Sequence, residues 1–231
     1  MQPTKMRLCV TPHVPNLNFC ADRNFLLRPN SRNSFVVTAR ARDRVKRIGR
    51  GRMAPRAIGT GKRTKNDDEV AEEALRLLNE ANNLPRLVVF DLDYSLWPFW
   101  CECRSSKENP SLYPEATGVL NALRRKGVTM AVASRTPTPD IARTFLKKLN
   151  ITDYFVNMQI YPSWTHKVEH FQKILQSTEV PYKDMLFFDD EDRNILSVSQ
   201  LGVTSILVND GVNLKALAQG LQKHARPIAS S

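Results

Sequence analysis

The sequence predicts an α/β fold: a doubly wound, mainly parallel sheet with helices on both faces. Three observations carry that reading. Short, continuously apolar runs alternate with amphipathic helical stretches from residue 67 onward, the pattern of strands buried on both faces. Charged or hydroxyl residues stand at the ends of those runs. The chain is also divided by charge, which confines the fold to its larger C-terminal part.

The division is sharp. The 231 residues carry a formal charge of +11. Residues 1–66 hold sixteen Lys and Arg against Asp22 and Asp43, or +14, whereas residues 67–231 hold eighteen against twenty-one acids, or −3. The N-terminal segment has little apolar periodicity and many turn formers, among them Pro3, Pro12, Pro15, Gly49, Gly51 and Pro55. It reads as a disordered basic leader over 1–66. Being Arg-rich and acid-poor, it has the composition of an organelle transit peptide, with a chloroplast favoured over a mitochondrion. It departs from that composition in having only Ser31 and Ser34. The competing reading is a retained arm that binds nucleic acid or anionic lipid, which would leave the chain cytoplasmic. Once the leader is removed, no basic excess remains to bind nucleic acid. No run reaches the ~18 apolar residues of a membrane span, so no membrane partner is expected.

The elements follow in order. Acids open "NDDEVAEEALRLLNEANN", and Val70, Ala74, Leu77, Leu78 and Ala81 recur at helical spacing, so residues 67–84 form an N-terminal helix and linker. Pro85 then punctuates, and "RLVVF" (86–90) is a buried strand. A helix over 113–127 has Pro114 near its start and Gly127 at its end. Strands at 128–134, 154–161, 184–190 and 203–210 alternate with helices at 138–150, 166–178, 192–202 and 213–225. The folded domain is therefore 85–225, with a short tail at 226–231.

In such sheets chemistry collects at the C-terminal strand ends. There the sequence sets Asp91 and Asp93, then Ser134 with Arg135, then Lys167 before a helix, then Asp189 and Asp190. Each could be a helix cap, but carboxylates are rarely buried at so many strand ends unless something cationic joins them. Together they suggest phosphoryl transfer. A hard divalent cation such as Mg²⁺ relieves the repulsion between carboxylates, one of which attacks phosphorus, while Lys167 and Ser134 hold the phosphate oxygens.

The order D-x-D, hydroxyl, Lys, D-D resembles the haloacid dehalogenase (HAD) superfamily of phosphohydrolases. "FDLDYSLWPFW", "LYPEA", "ASRTPT", "IYPSWTHKVEHF" and "LFFDDEDRNI" further resemble the eukaryotic magnesium-dependent phosphatases, in a plant-like form, over about 85–225. The resemblance implies a Rossmann-like, HAD-like core. It also implies a Mg²⁺-dependent hydrolase in which Asp91 is the nucleophile and forms an aspartyl-phosphate. Asp93 would be the general acid and then the base. Asp91, Asp93 (through its carbonyl) and Asp190 would hold the metal. Ser134, Arg135 (through its backbone) and Lys167 would bind phosphate, with Asp189, Asn194 and Ser95 in support. Ser95 stands where the family usually has Thr, and the hydroxyl is kept. Only 42 residues separate Asp91 from Ser134, and 32 separate Ser134 from Lys167, so no cap domain fits. An open site permits a phosphoprotein, a phosphosugar or another macromolecule, and the resemblance adds phosphotyrosine and phosphorylated sugar-amines as expected substrates. Trp100 and Trp164 are candidates for its rim, and Trp97 and Phe99 are expected to pack.

Other motifs carry less. "HKVEH" (166–170) fits an inverted zinc-protease pattern, but it would leave the aspartates unused and Lys167 beside the metal. "GTGKRT" (59–64) lacks the strand and the hydroxyl residue of a phosphate loop. The lone C-x-C of Cys101 and Cys103 is no metal signature by itself. The non-enzyme alternatives are a catalytically silent scaffold and a nucleic-acid binder acting through the leader.

Overall fold

The computed structural model describes residues 66–225. The readings placed on the leader and on the tail lie outside the described residues.

Five strands form one parallel sheet in the order β3-β2-β1-β4-β5. They are β1 (Leu87–Phe90), β2 (Thr129–Ser134), β3 (Phe155–Ile160), β4 (Met185–Asp189) and β5 (Thr204–Leu207). The helices between and around them are α1 (Asp67–Glu80), α2 (Ala116–Lys126), α3 (Pro139–Lys148), α4 (Val168–Thr178), α5 (Asp192–Ser199) and α6 (Leu214–His224). The chain winds from β1 outward to β3, then returns to β4 on the other side of β1. That reversal opens a crevice at the carboxyl ends of β1 and β4, where ligands bind in doubly wound sheets.

Side-chain alternation divides the core. Val88 and Phe90 of β1 join Val132, Leu186 and Phe188 on the face covered by α1, α2, α3 and α6. Leu87 and Val89 join Ala131, Ala133 and Phe187 on the face covered by α4 and α5. Strands apolar at every position are thus explained by burial on both sides. Phe90 stacks on Phe188 with centroids 5.6 Å apart, which ties the central pair of strands together beneath the crevice.

Local chemistry sets the boundaries. Asn66 and Glu69 close a reciprocal capping box at the start of α1. Gly127 ends α2 in the left-handed conformation, φ 78°. The sequence expects the second helix to begin at Tyr113, but it begins at Ala116. Tyr113 instead donates its N–H to Leu96 O, and its ring lies where a side chain on Gly211 would stand. The fourth helix is expected from His166 and begins at Val168, because His166 and Lys167 are both left-handed, at φ 46° and 72°. This costly pair of conformations turns the Lys167 side chain inward instead of along a helix face. It also removes His166 from the helix, so the H-x-x-E-H pattern does not share one helical face.

Candidate active site

Asp91 continues β1 by one residue, its N–H donating to Phe188 O of β4 at 3.0 Å. The chain then makes one tight turn, with Ser95, Leu96 and Trp97 all donating to Leu92 O and Tyr94 left-handed. The turn sets Asp93 and Trp97 together. Trp97 Nε1 donates to Asp93 Oδ1 at 2.7 Å, and the Cys101 amide donates to the same oxygen at 3.2 Å.

Lys167 is buried and bridges two carboxylates. Its Nζ lies 2.5 Å from Asp91 Oδ1 and 2.5 Å from Asp189 Oδ2. Asp189, which ends β4, also accepts from the Glu191 amide at 2.8 Å and from Asn194 Nδ2 at 3.0 and 3.2 Å. Asn194 has its amide oxygen fixed in turn by Arg135, which donates to it at 3.1 Å and to Glu191 at 3.2 Å. The Arg135 Nε holds Ser163 O at 3.0 Å. One polar chain thus runs from the loop before α4, through Arg135, Asn194, Asp189 and Lys167, to Asp91.

The electrostatics follow from burial. Burial is the largest influence on Asp91 and pushes its carboxyl well up; Lys167 pulls it back, while Asp189, Asp190 and Asp93 add to the rise. Asp190 is raised to about 7, by burial first and then by Asp189. Burial works against the Lys167 ammonium, but Asp189 and Asp91 outweigh it and the pKa ends above its ordinary value. Asp93 is raised by burial, against hydrogen bonds from Trp97 and Cys101.

Asp91, Asp189 and Asp190 each offer an oxygen within 4.8 Å of the others. With all three ionised, these carboxylates facing one ammonium would leave two excess negative charges in a buried site, and burial raises Asp91 and Asp190 to lessen that charge. A hard divalent cation with oxygen ligands removes that excess, so the donor set fits such a metal.

The structure brings together Asp91, Asp93, Lys167, Asp189 and Asp190, as their strand-end positions predict. It redistributes emphasis between the last two. The sequence gives Asp190 the metal and Asp189 a supporting part, whereas Asp189 is fully buried and is the partner that Lys167 grips. Ser134, the last residue of β2, is buried, its Oγ 3.4 Å from the Thr136 amide. The Ser95 hydroxyl is buried and makes no hydrogen bond among the described residues. Trp97 and Phe99 pack as expected, stacked on each other at 5.6 Å. Trp100 is half-buried, edge-on to Tyr94, while Trp164 is 96% exposed.

Sequence reasoning missed the hydrogen-bonding role of Trp97, whose spacing of four from Asp93 was the available signal. It also missed the 3₁₀ turn Cys101–Cys103 that brings the Cys101 amide to Asp93. His170 both packs and bonds locally, stacking on Tyr161 at 4.0 Å and placing Nε2 3.0 Å from the carbonyls of Ser134 and Tyr161. Burial, aided by Lys167, lowers its pKa to about 4, so the ring is neutral with its proton on Nε2.

A capless doubly wound core with D-x-D, Lys and D-D at its carboxyl edge defines a HAD-like phosphohydrolase fold. The family described as acid phosphatase matches residues 83–227, and the chain belongs to it. Over 167 residues it is 42% identical to Magnesium-dependent phosphatase 1 of Homo sapiens, covering 64% of this chain and 94% of that protein. It is 35% identical over 146 residues to a HAD-like hydrolase superfamily protein of Schizosaccharomyces pombe, covering 52% and 83% respectively. Among solved structures, a HAD-superfamily hydrolase from Ehrlichia chaffeensis superposes with a TM-score of 0.50 at 16% identity, covering 62% of this chain and 99% of that one. That likeness supports the fold.

Proposed function

We propose that the chain is a Mg²⁺-dependent phosphatase that hydrolyses phosphate monoesters through an aspartyl-phosphate on Asp91. The observation that carries this is the clamp of Lys167 between Asp91 and Asp189, with Asp190 beside them. It keeps one carboxylate oriented at the mouth of the β1–β4 crevice and surrounds it with groups suited to phosphate and a divalent ion.

Asp91, Asp189 and Asp190 would hold the ion, with the Asp93 carbonyl. Mg²⁺, when bound, neutralises phosphate charge and favours the ionised form of its carboxylate ligands. An oxygen of Asp91 attacks phosphorus, and the bond from phosphorus to the leaving oxygen breaks. The Asp93 carboxyl delivers its proton to that oxygen. Asp93, now a carboxylate, takes a proton from water as the water oxygen attacks the phosphoryl group, and Asp91 is released with inorganic phosphate. Lys167, Ser134 and the Arg135 backbone hold phosphate oxygens; the Arg135 side chain is engaged with Asn194, Glu191 and Ser163.

The short connections between motifs leave the mouth open, which favours a phosphoprotein such as one bearing phosphotyrosine, or a phosphorylated sugar or sugar-amine. Trp164 and Trp100 flank that mouth in sequence and would meet the part of the substrate beyond the phosphate. The basic leader supports import into an organelle, a plastid before a mitochondrion.

The test uses an aryl phosphate with the full chain, with Mg²⁺, with chelator, and as Asp91→Asn with Mg²⁺. Turnover should require Mg²⁺ and fall by about 10³-fold or more in the variant, the scale of losing a nucleophile. Persistent turnover in Asp91→Asn would sink the covalent mechanism.

A further inference from the structure

Asp93 is held by neutral donors that converge on one of its two oxygens. Trp97 Nε1 reaches Oδ1 at 2.7 Å and the Cys101 amide reaches it at 3.2 Å. An oxygen that accepts two N–H bonds cannot itself carry a proton along either of them. In the acid form of Asp93 the proton therefore belongs on Oδ2. The Cys101 thiol, a third neutral donor, also lies within hydrogen-bonding reach of the Asp93 carboxyl.

Trp97 is well placed to enforce this. The indole is fully buried, stacked on Phe99 at 5.6 Å and edge-on to Phe145 at 6.0 Å. It cannot swing with Asp93. The turn that sets Trp97 four residues beyond Asp93 is closed by three N–H groups on Leu92 O, so the spacing is rigid as well. Cys101 sits on the 3₁₀ turn that follows and is buried too.

We infer that Trp97, assisted by the Cys101 amide, is a positioning residue for catalysis, fixing the Asp93 side chain so that Oδ2 presents the proton to the leaving oxygen. The inference rests on the acid–base reading of Asp93. A fixed proton donor matters in proportion to how badly the leaving group needs a proton. Alkyl phosphates depart as strongly basic alkoxides and depend on it; p-nitrophenyl phosphate departs as a stabilised phenolate and hardly does.

The experiment compares kcat and KM for both substrates in wild type, Trp97→Phe, Asp93→Asn and the double variant. Trp97→Phe keeps an aromatic ring in the core and deletes the N–H. We expect kcat/KM on an alkyl phosphate, which reports phosphoryl transfer and excludes the hydrolysis step that both substrates share, to fall about 10–30-fold, a fraction of the ~10²–10⁴ that a positioned general acid contributes. On p-nitrophenyl phosphate kcat/KM should fall by under about 3-fold, with inhibition by inorganic phosphate unchanged. In the Asp93→Asn background the same substitution should add no leaving-group dependence. Should Trp97→Phe lose its fold, 3-benzothienylalanine at this position replaces the N–H with sulfur at nearly constant shape and must give the same pattern. Equal losses on both substrates, or none, while Asp93→Asn discriminates between them would overturn the positioning role alone. Absence of discrimination in Asp93→Asn itself would overturn the acid–base reading and this inference with it.

Discussion

Asp91 and Asp93 are two residues apart, and the chain solves their burial in opposite ways. Asp91 faces a full cation, Lys167, which is gripped from behind by Asp189. Asp93 is hydrogen-bonded by neutral donors, the N–H groups of Trp97 and Cys101 and the Cys101 thiol. Burial raises both carboxyls. The difference lies in what each group must do afterwards. A nucleophile has to be ionised at the moment of attack, and a fixed ammonium and a metal favour that form. A general acid must hold a proton and then give it up, and a cation at hydrogen-bond distance would strip the proton too early. Neutral dipoles fix geometry while leaving the proton exchangeable.

Removing the cation breaks the comparison most directly. Lys167→Met leaves Asp91 and Asp189 buried without a counter-charge. Breaking a buried pair from one side costs about 3–5 kcal/mol. Turnover should fall by roughly 10²–10³-fold, the scale of losing a charge-stabilising donor. The stability loss has a definite pH sign. Without Lys167 the Asp91 carboxyl, already raised above its unfolded value, rises further, so the folded state binds more protons than the unfolded one. Destabilisation should therefore be larger at pH 8 than at pH 5, read by urea unfolding of metal-free protein. A pH-independent loss would mean that Lys167 acts through packing alone, and the contrast with Asp93 would lose its basis.

Asp190 sharpens the same contrast on the metal side. Its folded value of about 7 lies above the unfolded 3.8, chiefly through burial. Between those values the folded state holds a proton that the unfolded state releases, so this residue's contribution to stability declines as pH rises through the window. Asp190→Asn removes the penalty. In metal-free protein it should raise Tm by roughly 2–4 °C at pH 8, about 1 kcal/mol for a chain of this size, and by less at pH 5. Mg²⁺ should reverse the order by stabilising wild type more than the variant. Calorimetry at both pH values, with and without Mg²⁺, reads all four conditions.

These differences explain what was legible in the sequence. The strand–helix alternation was, because burial on both faces makes strands apolar throughout and leaves charges visible at their ends. Asp91, Asp93, Lys167 and the Asp189–Asp190 pair stand out for that reason. The partition of labour between Asp189 and Asp190 was not, since adjacent identical residues point to opposite sides of an extended chain and only the fold says which side meets Lys167. Nor was Trp97 as a donor: its apolar surroundings predict packing, and the hydrogen bond depends on a left-handed Tyr94, φ 53°, inside a tight turn. The inward turn at His166 and Lys167 was likewise hidden, because the apolar spacing that follows reads as one continuous helix.

The smallest effect on chemistry should come from the crossing of α1 and α2, which contributes no side chain to the charged site, and it supplies the control. Gly118 lies where α2 crosses α1. A Cβ there would stand 2.6 Å from Val70 Cβ and 2.8 Å from Asp67 O. A backbone oxygen in the first turn of α1 cannot rotate away as a side chain can, so Gly118→Ala must push the two helices apart. Overpacking of this kind costs about 1–3 kcal/mol. Tm should fall by several degrees, at roughly 2–4 °C per kcal/mol. The kcat should stay within about 2-fold of wild type, because α1 and α2 contribute no group to the polar chain from Arg135 to Asp91 and the contacts of β1 with β2 and β4 are separate from theirs. If kcat instead fell in step with Tm, the losses expected at Lys167 and Trp97 could reflect a general loosening of the sheet, and the contrast between a charge-held and a dipole-held carboxyl would need a different proof.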